Sequence, residues 1–350
     1  MLNWTDEIPR PRIKSGAKGA RNDKQKLCVL CVESPATRGA CGSEAPGARS
    51  LKTALEFVHA THSGMVRSHN EDAIAISPDV GLAILADGMG GYNAGEVASR
   101  LASEFLLTHL EADLGEWRRE LKRRGPEMLH ALLQARIDGA NAAIIEAADS
   151  EPKFYGMGTT LVMALFGDDV LTTIHLGDSR AYRFRDGTLT LLTRDHSLLQ
   201  DQIDAGVLSA DEARFSTNRN FVTRALGVDT QVDAEIADYE LAMNDLYMLC
   251  SDGLSDMLAD EEIRATLSAA DREDGGSLDA VAQKLVQLAN EHGGRDNVSV
   301  ILVRVAAPGA SRTSGAQRSV GSGKASGLAS GASRTTRVAG LLDRLIKLRK

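Results

Sequence analysis

The sequence predicts an α+β fold in which a sandwich of sheets is covered by helices. Three observations predict it. Many short β-type runs are bounded by Gly, Pro, Asn and Asp, two long helical patterns sit among them, and an apolar fraction of 43% over 350 residues suffices for a sizeable buried core.

In chain order, β-type runs are expected at 57–61, 73–76 and 82–86. The first helix, from 94 to about 111, places Val97, Leu101, Phe105 and Leu106 on one face. The second, from 126 to about 148, has Pro126 at its start and Met128, Leu132, Leu133, Ile137 and Ile144 as its apolar stripe. Strands return at 160–165, 170–175, 181–184 and 189–192, where Asp186-Gly187 signals a hairpin. Polar helical segments follow at 196–205 and 210–214. Two last strands, 245–250 and 298–303, are separated by helices at 260–267 and 278–291.

The ends differ from this body. Residues 1–52, rich in Lys, Arg, Gly, Ser and Pro without a sustained period, read as a flexible basic leader, and the folded domain is placed at 53–306. Residues 307–337 have the Ser/Gly/Ala/Arg composition of a linker. Over 338–350, Val338, Leu341, Leu342, Leu345 and Ile346 share a helical face beside Arg344, Lys347, Arg349 and Lys350. Such a basic amphipathic tail helix suits docking on an anionic membrane surface or a partner; capping of its own domain or fraying is the alternative.

The formal charge of −8 is unevenly spread: +4 over residues 1–50 and +8 over 308–350, which leaves −20 in the body. An acidic body argues against nucleic-acid binding and suits a hard cation. Of four cysteines, Cys28 and Cys31 form a CxxC with Cys41 beyond, but no second pair or nearby His completes a zinc site. No paired framework covers the core, so a reducing compartment is expected. No run is long enough for a signal peptide or a membrane span, and the expected location is the cytoplasm, with peripheral membrane contact through the tail.

The chemistry is carried by five stretches: Arg67-Ser-His69-Asn70-Glu71-Asp72, Ala86-Asp87-Gly88-Met89-Gly90-Gly91, Gly177-Asp178-Ser179-Arg180, Cys250-Ser251-Asp252-Gly253-Leu254 and Gly294-Arg295-Asp296-Asn297. Each sets a carboxylate where an apolar strand meets a turn, from which a rigid sheet projects ligands into a cleft. A glycine directly after Asp87 lets the backbone approach a metal, with the Gly88 carbonyl as a further oxygen ligand. Carboxylate and carbonyl oxygens suit Mg²⁺ or Mn²⁺ and disfavour Zn²⁺ or copper.

The ordered set RxxNED, ADGMGG, GMGTT, GDSR, TxDHS, TRALG, CSDGL and GxxDN, spanning about residues 57–305, resembles the bacterial branch of the PP2C (PPM) phosphatases. The resemblance implies a four-layer αββα sandwich, two antiparallel sheets flanked by helices, with a binuclear metal cleft at one end. It implies metal-dependent hydrolysis of phosphoserine and phosphothreonine on proteins, opposing a bacterial serine/threonine kinase, with two Mn²⁺ or Mg²⁺ ions and a third, weaker site. On it, Asp87 is the bridging carboxylate, the Gly88 carbonyl binds one metal, and Asp252 and Asp296 bind the other. Glu71 and Asp72 match positions that hold metal-bound waters, Asp178 supports the third metal with Asp252, and Arg67 holds the substrate phosphate. Two cations about 4 Å apart can acidify a bridging water, so a hydroxide is the expected nucleophile. The planar fork of Arg67 suits bidentate phosphate binding. A monomer is expected.

Some members carry a histidine, proposed as general acid, two places after the bridging aspartate; here Met89 stands there, as is common in bacterial members. His196, at the start of the segment resembling the family's flap (about 197–217), is read as structural. Two rivals remain: a GDSL-type esterase with Ser179 as nucleophile, which lacks the family's block position and its Asp-x-x-His, and a phosphoprotein-binding module, which the full set of carboxylates disfavours.

Overall fold

A computed structural model describes residues 54–91, 94–209, 212, 221–270 and 277–306, without the side chains of 117–119, 121 and 122. The leader, linker, tail helix and CxxC lie outside the described residues, as does most of the expected 210–214 helix.

The elements run β1 (Ala54–His62), β2 (Asp72–Ser77), β3 (Leu82–Met89), α1 (Ala94–Arg124), α2 (Pro126–Ser150), β4 (Gly158–Thr159), β5 (Leu161–Phe166), β6 (Val170–Leu176), β7 (Arg180–Arg185), β8 (Thr188–Leu191) and α3 (Leu198–Asp204). They continue with β9 (Glu235–Glu240), β10 (Leu246–Cys250), α4 (Asp252–Ser255), α5 (Asp260–Leu267), α6 (Leu278–Glu291) and β11 (Val298–Ala306). One sheet has the order β1-β11-β10-β7-β8 and the other β2-β3-β5-β6-β9, with β4 pairing with β3. Every ladder is antiparallel.

Side-chain alternation turns these sheets into four layers. In β5, Leu161, Met163 and Leu165 pack toward α1 and α2, while Val162, Ala164 and Phe166 point into the space between the sheets. β11 does the same on the other side, sending Val298, Val300 and Leu302 toward α5 and α6 and Ile301, Val303 and Val305 inward. A strand buried on both faces reads as a continuous apolar run, which is why these two were legible. Between the sheets, Phe166 meets Phe57 and Tyr247 edge to face, at centroid distances of 5.9 and 5.5 Å.

Four elements depart from the sequence expectation, the shortest being the two-residue β4, too brief to give a period. α1 continues to Arg124 because Leu114 still reaches the core and Arg136 of α2 grips Asp113 bidentately, although the apolar period fades. β9 was not expected: its sequence EIADYE is largely exposed and acidic, and only pairing with β6 makes it a strand. α4 is a single turn directly after β10, too short to give a period.

Candidate metal and phosphate site

The topology brings the carboxylates to one end of both sheets. Asp72 opens β2 and pairs in register with Asp87 near the end of β3. Asp178 lies in the turn between β6 and β7, Asp252 follows β10 as the first residue of α4, and Asp296 precedes β11. Cys250 is in register with both Arg180 and Val300, so the Asp178, Asp252 and Asp296 ends coincide.

Polar contacts join the two sheets at this end. Ser251 Oγ donates to Asp72 Oδ2 at 3.0 Å, and the Ser299 amide donates to Ser251 Oγ at 3.0 Å. Asn297, 4% exposed, accepts from the Glu71 amide at 2.7 Å and donates to the carbonyls of Ser63 and His69 at 3.1 and 2.9 Å. The loop that carries Arg67, Glu71 and Asp72 is thereby tied to the Asp296 strand. On the other side, the Asp87 amide donates to Thr160 Oγ1 and the Asp87 carbonyl accepts from Thr159 Oγ1 and the Thr160 amide.

The glycines after the carboxylates also answer a packing need. A Cβ on Gly88 would lie 2.1 Å from the Gly95 carbonyl oxygen and 2.7 Å from that of Glu71, and one on Gly253 would lie 2.0 Å from the Asn297 carbonyl oxygen. They are needed because backbone packs against backbone around the ligands, whatever the carbonyl of Gly88 binds.

The electrostatics are those of a cation site. Burial first, then Asp72, Asp252, Asp178 and Asp296, pushes the Asp87 carboxyl well up; burial first, then Asp178, Asp256, Asp296 and Asp72, does the same to Asp252. Burial raises Asp72 to about 6 despite hydrogen bonds from Ser299 and Ser251, and raises Asp178 to about 6 with Asp195 and Asp256 adding and Arg180 opposing. Oδ1 of Asp72 and Oδ1 of Asp252 are buried and accept no hydrogen bond from the described residues. Such oxygens, crowded by like charge, fit hard divalent cations, which would satisfy them and reverse the shift.

Arg67 is half exposed, and its Nη2 donates to Asp296 Oδ2 at 2.6 Å, placing a guanidinium at the mouth of the cluster. Glu71 Oε1 lies 3.3 Å from His69 Nε2, and both Glu71 and Asp87 add to the field on Arg67. Met89 is half-buried and has no proton to give. Ser179 is 1% exposed and shares a 2.8 Å hydrogen bond with Thr160 Oγ1, an arrangement that does not activate a nucleophile. Asn297, Ser251 and the Thr159–Thr160 pair had no role assigned from sequence; Asn297 and Ser251 are marked there only by adjacency to a carboxylate, and the threonines only by the GMGTT stretch.

The chain and its fold are similar to those of known proteins. The family described as Protein phosphatase 2C matches residues 61–296. The serine/threonine protein phosphatase PstP of Mycobacterium tuberculosis is 38% identical over 251 residues, covering 72% of this chain but 45% of its own length, so the chain spans under half of that relative. The serine/threonine phosphatase stp of Listeria welshimeri is 34% identical over 246 residues, covering 69% of this chain and 93% of its own length. The crystal structure of the M. tuberculosis phosphatase PstP/Ppp superposes with a TM-score of 0.64 at 37% identity, over 72% of this chain and 99% of that one. The PstP catalytic domain in complex with two manganese ions gives a TM-score of 0.62 at 36% identity, over 73% and 99%. With the family match spanning most of the described residues and the carboxylates meeting where the two sheets end, this chain belongs to the protein phosphatase 2C family.

Proposed function

We propose that this chain is a metal-dependent protein phosphatase that hydrolyses phosphoserine and phosphothreonine on proteins, with Mn²⁺ or Mg²⁺ as cofactor. The observation that carries the reading is the convergence of Asp72, Asp87, Asp178, Asp252 and Asp296 from both sheets, with two buried carboxylate oxygens left unpartnered. Asp87, Asp252 and Asp296 would hold two cations, with the Gly88 carbonyl as a further oxygen, Glu71 and Asp72 acting through water, and Asp178 serving a third, weaker position with Asp252. When bound, such cations neutralise charge on the phosphoryl oxygens and acidify water.

The protein's own groups do the rest. Arg67 presents a planar fork at the rim, and its contact with Asp296 keeps that fork beside the carboxylate cluster, where an incoming phosphate would be bound. Asn297 and Ser251 hold the Arg67–Asp72 loop at a fixed distance from Asp252 and Asp296, which is positioning rather than chemistry. Cys250, the cysteine among the described residues, does not suit a thiol intermediate, since it is fully buried and burial pushes its thiol up to about 12.

A cognate serine/threonine kinase and a monomeric state belong to the same proposal. So do a cytoplasmic location and docking of the basic 338–350 tail on a membrane or partner; no helix among the described residues is long and apolar enough to cross a membrane. Deleting 338–350 should spare hydrolysis of a small ester and reduce liposome or partner binding; unchanged binding removes the docking role.

The deciding experiment is hydrolysis of p-nitrophenyl phosphate and a phosphothreonine peptide by chelated protein with Mn²⁺ or Mg²⁺ added back, beside Asp252→Asn. Turnover restored by metal and absent from the variant supports the proposal. A folded protein inactive with both cations refutes it in favour of a phosphoprotein-binding module.

A further inference from the structure

Gly177 has a φ of +102°, a region open to glycine. The Asp178 carboxylate accepts a hydrogen bond from its own backbone amide, so its direction follows the backbone of the turn, and that backbone is held by outside ties. His196 supplies two. Its amide donates to the Gly177 carbonyl at 2.8 Å, and its ring Nδ1 accepts from the Gly177 amide at 3.3 Å. Next to it, Asp195 receives both Nε and Nη2 of Arg180, at 2.9 and 2.7 Å. The His196 carbonyl accepts from the Thr223 amide, and the Leu198 amide donates to the Phe221 carbonyl. Segments 195–198 and 221–223 are thus joined to each other and to the turn.

The imidazole, 2% exposed, stacks on His175 at a centroid distance of 4.6 Å, and its Nε2 faces Glu235 Oε2 at 3.5 Å. His175, His196 and Glu235 offer three ligand-type atoms within 4.8 Å of one another. The proton positions argue against a cation among them. His175 Nε2 donates to the Arg194 carbonyl at 2.7 Å and so keeps its proton, and an Nδ1 that accepts from Gly177 puts the His196 proton on Nε2. Nε2 of each ring, the atom that faces Glu235, thus carries a proton in place of a lone pair. The arrangement instead orients His196 so that its acceptor meets Gly177, much as an outer group fixes the ring of a metal-binding histidine.

We propose that His196 is a positioning residue for Asp178, its Nδ1 acceptor holding the Gly177–Asp178 turn in the form that presents the carboxylate to the metal cluster. The proposal rests on the reading of Asp178 as a metal position. Two variants separate the acceptor from the ring: His196→Asn keeps an oxygen near the place of Nδ1 and loses the stack, and His196→Phe keeps the stack and leaves the buried Gly177 amide without its partner.

Mn²⁺ binding to the chelated full-length protein is followed by calorimetry without substrate, and Gly177 amide exchange is measured alongside. The expected result is a weakest Mn²⁺ step loosened about tenfold in the Phe variant, retained within about twofold in the Asn variant, and Gly177 exchange accelerated only in Phe. A folded Phe variant with unchanged binding and exchange overturns the proposal. So does loss of the weak step in Asn. If Phe does not fold, the Asn result decides alone. Asp178→Asn isolates the underlying reading: an unaltered titration there removes Asp178 as a metal position, while Gly177 exchange still reports whether His196 holds the turn.

Discussion

Asp72 and Asp87 stand directly opposite each other across the β2–β3 ladder, two carboxylates in register at the end of an otherwise apolar strand pair. Like charges opposed on one face of a sheet oppose folding. Their pairing at the mouth of the sandwich is what the proposed metal site would require, at a cost in stability.

Replacing Asp87 by Asn should therefore separate the two properties. The chelated variant is expected to melt about 2–4 °C above the parent, since about 1 kcal/mol of repulsion is relieved, while Mn²⁺-dependent turnover falls by about a thousandfold or more. Differential scanning calorimetry in chelator, with a p-nitrophenyl phosphate assay, checks both; a variant no more stable than the parent contradicts the crowding argument.

Acidity should act on the metal-free fold in an unusual direction. Asp72 and Asp178 are raised to about 6, so between about pH 4 and 6 the folded state holds protons that the unfolded state has released. Their contribution to stability is thus greatest at acid pH and is lost as pH rises through 6. In chelator, the melting temperature of the parent relative to Asp72→Asn should fall from pH 4.5 to 6.5. Mn²⁺ affinity, which requires deprotonated ligands, should rise over the same interval. A pH-independent difference between the two proteins would remove this assignment.

Arg67→Ala is expected to raise KM for a phosphopeptide by about 10- to 100-fold, the value of one charge-assisted contact, with little change in melting temperature because the side chain is half exposed. Arg67→Lys should recover only part of the loss, since an ammonium lacks the fork. Steady-state kinetics on both variants test this, and an unchanged KM in the Ala variant counts against phosphate binding.

Asn297→Ala should be destabilising as well as damaging. It leaves the Glu71 amide and the Ser63 and His69 carbonyls without their partner, at a cost of about 2 kcal/mol or ~4–8 °C in Tm. Because the freed loop carries Arg67, KM should rise too. Thermal melts and KM measured together distinguish this from a purely local loss.

The sequence by itself determined the apolar runs of β3, β5 and β11, since strands buried on both faces have no polar alternation to confuse them. It also determined α5 and α6 and every carboxylate of the cluster, because carboxylates at strand ends beside glycine form a short-range pattern. Only the tertiary structure decided the rest. β9 exists because β6 offers a pairing edge to a polar, acidic segment. Gly88 and Gly253 are glycines because backbone from Gly95, Glu71 and Asn297 passes within contact of them. Asn297 and His196 acquire their roles through residues 226 and 19 positions away. Periodicity and local turn chemistry are properties of neighbouring residues, whereas hydrogen bonds across the sandwich depend on how the sheets come together, and no short window of sequence contains that information.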